Sequence, residues 1–242
     1  MAADLIQVSA LRRLVLLMLP VLLAACISSQ PYPRGILESQ PIPAPVVRAP
    51  KVGQEWVYQV RNVFNQEIVD TVTEKVVSVG NEVRIARTSL KAGPLPDEIQ
   101  SPWGFVVQDP HWKPTQKFIK PIPMWPLQLQ AGWSGFFTTQ YQVPGDPDGS
   151  YYWGLGMTAS EWARIQTPAG QFLVLRIRNE IPNFVSNDLF RVGNERQEDL
   201  WFAPEIGRWV VRRSSGRYIT TGVYWANAYW EDYLEWELIS WK

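Results

Sequence analysis

The sequence predicts a mainly β protein: an antiparallel, twisted sheet curled into a half-barrel or open barrel, with few or no helices beyond an N-terminal signal. Three observations carry this expectation. Apolar and polar residues alternate with period two through much of residues 51–242, the pattern of half-buried strands. Gly- and Pro-containing turn signals separate those runs. No segment after the signal shows a clear amphipathic helical period.

Taken in order, the chain opens with Arg12-Arg13 and an apolar run from Leu14 to Ala25 that ends in Leu23-Ala24-Ala25-Cys26. Positive charge, a short apolar stretch and small residues before the cut are the layout of an export signal, too short for a mature spanning helix. The last four residues fit the bacterial lipobox. Residues 1–25 are therefore expected to be removed and Cys26 to carry diacylglycerol, with its new amino group acylated, as by palmitate. Two or three chains make membrane attachment effectively stable. Ile27, where Asp would retain such a protein in the inner membrane of enteric bacteria, favours an outer-membrane, periplasm-facing lipoprotein. A plain secretory signal and twin-arginine export are the alternatives. The only Cys is the one the anchor consumes, so no disulfide can form within the mature chain.

Loss of Arg12, Arg13 and Asp4 takes the 23 basic and 23 acidic side chains to 21 and 22. A near-neutral domain lacks the field that nucleic acid would require. Residues 26–50 hold Pro31, Pro33, Pro41, Pro43, Pro45 and Pro50, which reads as an extended tether reaching roughly 70 Å from the membrane. The globular domain is expected over 51–242, with a division into β subdomains at 51–125 and 126–242 left open.

Within that domain Trp56, Tyr58 and Val60 alternate with Glu55, Gln59 and Arg61, Val83 and Ile85 with Glu82 and Arg84, and Leu173, Leu175 and Ile177 with Arg176 and Arg178. Trp209 and Val211 repeat the pattern against Arg208 and Arg212, which places those arginines on a polar face. Further strands are expected near 69–79, 104–108, 116–120, 133–142, 158–166 and 195–202. Pro168-Ala169-Gly170, Pro204-Glu205-Ile206-Gly207 and Asp146-Pro147-Asp148-Gly149-Ser150 read as turns. Residues 228–241 fit either a strand or one helix face, and their aromatic content favours the strand. Val52–Tyr58 echoes Ala131–Phe137, each with Gly before an aromatic-rich run, as duplication of a β-meander would give.

Three phrases carry a family resemblance: Val52-Gly53-x-x-Trp56, Thr167-Pro168-Ala169-Gly170-Gln171-Phe172-x-x-Leu175-Arg176-Ile177, and Trp201-Phe202-Ala203-Pro204-Glu205-Ile206-Gly207-Arg208-Trp209-Val210. Over residues 50–242 the domain resembles a broad group of uncharacterised bacterial secreted lipoproteins with "vpaGtFkalri" and "wyaPgvGrvvk" phrases. The resemblance implies a β-rich fold similar to the open half-barrels of lipoprotein carriers and brings no activity, cofactor or catalytic residue.

Thirteen Trp residues, many of them late in the chain, read either as core or as the lining of a concavity. The candidate ligand or partner contacts are Tyr151, Tyr152, Trp153, Tyr224 and Trp225, expected on loops. His111, the one histidine, leaves little room for a triad or a multi-histidine zinc site, and a surface or packing role is expected. The doublets Asp97-Glu98, Glu198-Asp199 and Glu231-Asp232 point to opposite strand faces, so none is a catalytic pair by itself. The expectation is a non-enzymatic envelope lipoprotein without cofactor or metal. Its partners would be the membrane, through its anchor, and a lipid, glycan or envelope protein held in an aromatic-lined concavity. A scaffold for an outer-membrane complex and a peptidoglycan or glycan hydrolase are the rival readings.

Overall fold

The computed structural model describes residues 35–221 and 226–242. The signal, Cys26, Tyr224 and Trp225 lie outside them. The strands are β1 (Ile36–Glu38), β2 (Glu55–Asn62), β3 (Ile68–Val79), β4 (Val83–Ser89), β5 (Gly93–Gln100), β6 (Phe105–Asp109), β7 (Gln116–Pro123) and β8 (Ser134–Val143), then β9 (Asp146–Thr167), β10 (Gly170–Phe184), β11 (Arg191–Ala203), β12 (Arg208–Thr221), β13 (Ala226–Trp230) and β14 (Leu234–Trp241). A single 3₁₀ turn, Pro204–Ile206, is the one helical element among the described residues.

The mainly β, antiparallel expectation is borne out, and the curl goes to completion. Twelve strands form a closed barrel in the order β2 to β12 followed by β14, each antiparallel to its neighbour. Closure comes from Leu234–Trp241 pairing with Trp56–Asn62, the last strand against the first. The 22-residue β9 carries β8 along Asp146–Thr158 on one edge and β10 along Gly156–Thr167 on the other. Residues 51–125 and 126–242 therefore share one ring and are not separate subdomains.

The ring nevertheless has two halves of six strands. The Gly53 N–H donates to Val76 O (2.8 Å) while the Val76 N–H returns to Gln54 O (2.9 Å), and Gly132, Ala159 and Trp133 repeat this exchange before β8 (2.8 and 2.8 Å). A second correspondence lies six strands apart: the turns before β6 and β12 both end in a left-handed glycine, Gly104 (φ 90°) and Gly207 (φ 65°). This is the geometry a duplicated meander gives.

Trp56, Tyr58, Ile85, Met157, Leu175, Ile177 and Leu238 are among the fully buried core side chains. The segment expected as a free tether is packed from Gly35 onward. β1 pairs with Trp162–Arg164 of β9, and Gln40 Oε1 accepts from the Ala131 N–H (3.0 Å) and from Trp162 Nε1 (2.9 Å). Further along, the Arg48 N–H donates to Pro204 O at 2.8 Å and its carbonyl accepts from Trp103 Nε1 at 3.1 Å. A Pro-rich strand has no internal hydrogen bonds, so its carbonyls and remaining N–H groups are free for the barrel. β5 is not among the expected strands, and Pro94 and Pro96 fall within it. Its pairing with β4 is maintained by Gly93, Pro94, Leu95, Glu98, Ile99 and Gln100 around a register shift. The C-terminal stretch is strand, as expected, but bends at 231–233 into β13 and β14. The β8–β9 turn sits at Pro144-Gly145, just ahead of Asp146–Ser150, which are the first residues of β9.

A Cβ on Gly207 would lie 2.8 Å from the Arg48 carbonyl oxygen, so only glycine permits both the left-handed turn and the docking of the N-terminal segment. Gly207→Val is expected to lower stability by ~1–3 kcal/mol, read as a lower urea midpoint with an unchanged slope.

Candidate functional site

The strand phase places charge inside the barrel. Glu74 falls between Val72 and Val76 on the inward face of β3, and Arg87 follows Val83 and Ile85 on β4. Arg208 and Arg212, expected on a polar face, are 0% and 3% exposed. Arg208 is the centre of the arrangement. Its Nε and Nη2 donate to Glu74 Oε2 (3.1 and 2.6 Å), while Nη1 and Nη2 donate to Glu98 Oε1 and Oε2 (2.7 and 2.6 Å). Arg87 Nε adds a bond to Glu74 Oε1 at 3.1 Å.

Above this pair the β6–β7 connection, Pro110 to Thr115, turns into the barrel. Asp109 Oδ1 accepts from the His111 N–H and also faces Nδ1, both at 2.9 Å, and His111 Nε2 lies 2.8 Å from Glu74 Oε1. Both ring nitrogens of His111 therefore face carboxylate oxygens, one within its own loop and one on β3. Glu74 and Glu98 are balanced by Arg87 and Arg208. His111, expected at the surface or as plain packing, is in this way the latch of the inward loop. Two arginines from opposite walls hold the loop backbone: Arg87 Nη1 donates to Pro110 O (3.2 Å) and Arg196 Nη2 to Lys113 O (3.1 Å). Trp112 is buried beneath Arg196, whose guanidinium carbon lies 4.4 Å from the ring centre.

Burial alone would push the Glu74 carboxyl up, but Arg208, His111 and Arg87 overcome it and hold it well below the usual carboxylate range. Asp109 follows the same logic, with burial opposed chiefly by the His111 hydrogen bond and charge, and is also lowered. For Arg208, burial disfavours the cation, yet Glu74 and Glu98 raise its pKa well above the ordinary value.

The inward loop divides the mouth into two clefts. The larger, about 600 Å³, lies between the loop and β2–β5, with Val60, Val72, Leu95, Leu234 and Trp236 among its walls. Of its polar groups, Asp70 is engaged with Ser89 (2.5 Å) and Arg87 with Glu74. The smaller, about 280 Å³, lies toward β11–β14 and includes Arg191, Arg196, Ser214, Trp230, Glu231 and Asp232. Trp112, Lys113, Asp232 and Leu234 border both.

Of the expected contacts, Tyr151, Tyr152 and Trp153 do not share one surface, and Tyr224 and Trp225 lie outside the described residues. Tyr151, Tyr152 and Trp153 lie on strand β9, not on a loop, and alternate faces. Tyr151 donates to the Asp146 carboxylate, which holds the phenol above its ordinary value. Tyr152 is 41% exposed, whereas Trp153 is 1% exposed against Phe118, Tyr141 and Phe184. Of the late tryptophans, Trp201, Trp209 and Trp236 are buried and Trp230 is 68% exposed. Two of the doublets split across strand faces as expected: Glu98 is interior while Asp97 pairs with Arg84 (3.1 Å), and Glu198 pairs with Arg212 while Asp199 meets Arg178 (3.1 Å). The third does not, because Glu231 and Asp232 lie between β13 and β14 and both line the smaller cleft.

No protein-family model and no curated protein matches the chain. Two solved structures are similar to it. One is a "putative lipoprotein" from Parabacteroides distasonis, 11% identical, covering 87% of this chain and 100% of its own, at a TM-score of 0.52. The likeness is one of fold. The other is a "putative exported protein with YmcC-like fold" from Bacteroides fragilis, 13% identical, covering 82% of this chain and all of its own, at a TM-score of 0.47.

Arg208→Met leaves Glu74 and Glu98 buried without their shared partner, and a loss of about 3–5 kcal/mol is expected in urea unfolding at pH 7. Because Glu74 and Asp109 are held below their unfolded values, the unfolded chain takes up their protons first as pH falls. Their stabilisation is complete above roughly pH 5 and is lost below about pH 4 as pH approaches the folded values. The urea midpoint should therefore drop between pH 7 and pH 3.5. Glu74→Gln, already weaker at pH 7, should lose less over the same interval.

Proposed function

We propose that this chain is an envelope lipoprotein, anchored through Cys26 in the outer membrane and facing the periplasm, whose barrel binds an amphiphilic envelope component at its mouth without transforming it. The observation that carries the reading is the larger cleft, about 600 Å³ and walled by Val60, Val72, Leu95, Leu234 and Trp236. That size and lining suit an acyl-type ligand. In its wall Arg87 is paired with Glu74 and Asp70 with Ser89, so these buried groups present little unpaired charge to an apolar occupant.

Binding rather than hydrolysis is supported by the state of the carboxylates. A glycosidase acid needs a raised pKa and access to the scissile oxygen. Glu74 is instead lowered, and Glu74 and Glu98 lie at 0% and 1% exposure beneath a shared arginine. The anchor supports an envelope address, because a stable membrane attachment keeps the mouth among lipids and lipid-linked molecules.

The test is organic extraction of the full chain purified from its own host, followed by mass spectrometry of what is released. About one amphiphile per chain is expected, and Leu95→Trp, which narrows the cleft, should reduce it severalfold at an unchanged urea midpoint. Equal content in parent and variant would overturn the cleft as the binding site.

A further inference from the structure

We infer that the amphiphile carries an uncharged, hydroxyl-rich head, a sugar, and that it lies across the inward loop with its chain in the larger cleft and its head in the smaller. This rests on the reading of the larger cleft as an acyl site and adds the class of ligand. The two clefts share a border at Trp112, Lys113, Asp232 and Leu234, so one molecule can occupy both. They differ in chemistry. The larger is walled mostly by apolar side chains, Val60, Val72, Leu95 and Trp236 among them, with Asp70, Arg87 and Ser89 in its polar part; the smaller is walled mainly by arginine, carboxylate and hydroxyl groups with an aromatic ring beside them.

The charges of the smaller cleft select among heads. Arg196 Nε pairs with Glu231 Oε2 at 2.7 Å, and Arg191 Nη1 reaches Glu231 Oε1 at 3.5 Å and, through Nε, Asp188 at 3.4 Å. Lys113 faces Asp232 at 3.9 Å, and His111 is held by Glu74 and Asp109. Each cation thus has a carboxylate beside it, and a phosphate would meet Glu231 and Asp232 as well as the cations, which offsets the attraction. A neutral polyol meets no such conflict and can both donate to and accept from these groups. Trp230 is 68% exposed at this cleft. It offers an apolar ring face with a polar edge, the surface on which the C–H face of a sugar ring packs. Lys113 and Asp232 are 95% and 69% exposed in their side chains, free to turn toward hydroxyl groups at little cost.

The experiment uses the full chain in phosphatidylcholine nanodiscs and two photo-crosslinking probes. Both carry the same diazirine-bearing dodecyl chain, with maltose as the head of one and phosphocholine as the head of the other. Crosslinked peptides are mapped by mass spectrometry. The maltose probe is expected to label the segments around Val60–Val72 and Leu234–Trp236 at least tenfold more efficiently than the phosphocholine probe. Trp230→Ala should bring the maltose probe down to the phosphocholine level and leave phosphocholine labelling unchanged, which also reports that the variant is folded. Leu95→Trp should lower both. Equal labelling by the two probes, or a Trp230→Ala variant that still prefers maltose, overturns the sugar-head assignment while leaving the acyl cleft standing. Absence of labelling by either probe at these segments removes the acyl reading and this inference with it.

Discussion

The arrangement depends on one guanidinium inside a barrel. Arg208 is fully buried, and an isolated charge there would be prohibitively costly. Glu74 and Glu98 resolve it by a double fork, but two carboxylates on one arginine leave a surplus negative charge. Arg87 supplies the compensation, and His111, between Glu74 Oε1 (2.8 Å) and Asp109 Oδ1 (2.9 Å), ties the β6–β7 loop to this network. A buried network of this kind contributes little net stability compared with apolar packing. Its consequence is positional, because the loop that it fixes creates the two clefts.

Barrel size explains why the interior needs such side chains. Diameter grows with strand number, and twelve strands enclose more space than aliphatic residues from the walls fill. Long groups reach across instead. The Arg208 guanidinium carbon lies 5.5 Å from the centre of the Trp56 ring and 5.4 Å from that of Trp209. The Tyr58 hydroxyl donates to Trp209 O at 2.9 Å. With one Cys in the whole chain, packing and the closed ladder must supply what disulfides provide in many exported domains. Part of the high Trp content is accounted for by burial, as at Trp56, Trp112, Trp153, Trp209 and Trp236, while Trp230 stands exposed at the smaller cleft.

Strand existence was legible because period two is a local property: β2, β3, β4, β6, β7, β8 and β11 lie where alternation and turn residues place them. Closure was not, since the pairing of Leu234 with Asn62 leaves no trace in either segment alone. Arg208 and Arg212 were misassigned because the rule that puts charge outward assumes an apolar interior. The available signal was a charge in the inward phase, Val72-x-Glu74-x-Val76 and Ile85-x-Arg87, repeated on adjacent strands. His111 has a local partner in Asp109, two residues before it, but its other partner Glu74 comes from a strand that only the fold brings near. The Pro-rich segment misled for a related reason: its composition excludes internal hydrogen bonding, not hydrogen bonding to a neighbour.

The two six-strand halves give the site its location. By strand order the β6–β7 connection of the first half corresponds to the stretch from β12 to β14 in the second. These are the segments that meet at the mouth, with Lys113 against Asp232 at 3.9 Å. Arg196 ties them further, donating to Lys113 O at 3.1 Å and to Glu231 Oε2 at 2.7 Å. Either half alone would be an open sheet with two unpaired edges, a state that invites association. Fusing two such halves removes the edges and brings the corresponding connections face to face. Identical connections would form a symmetric contact and close the mouth evenly. Here one turns inward on a histidine and the other breaks between β13 and β14 at 231–233, so the contact is uneven and a cleft remains on each side of it. The difference between these two corresponding connections is therefore sufficient to give a closed, self-satisfied barrel an asymmetric mouth.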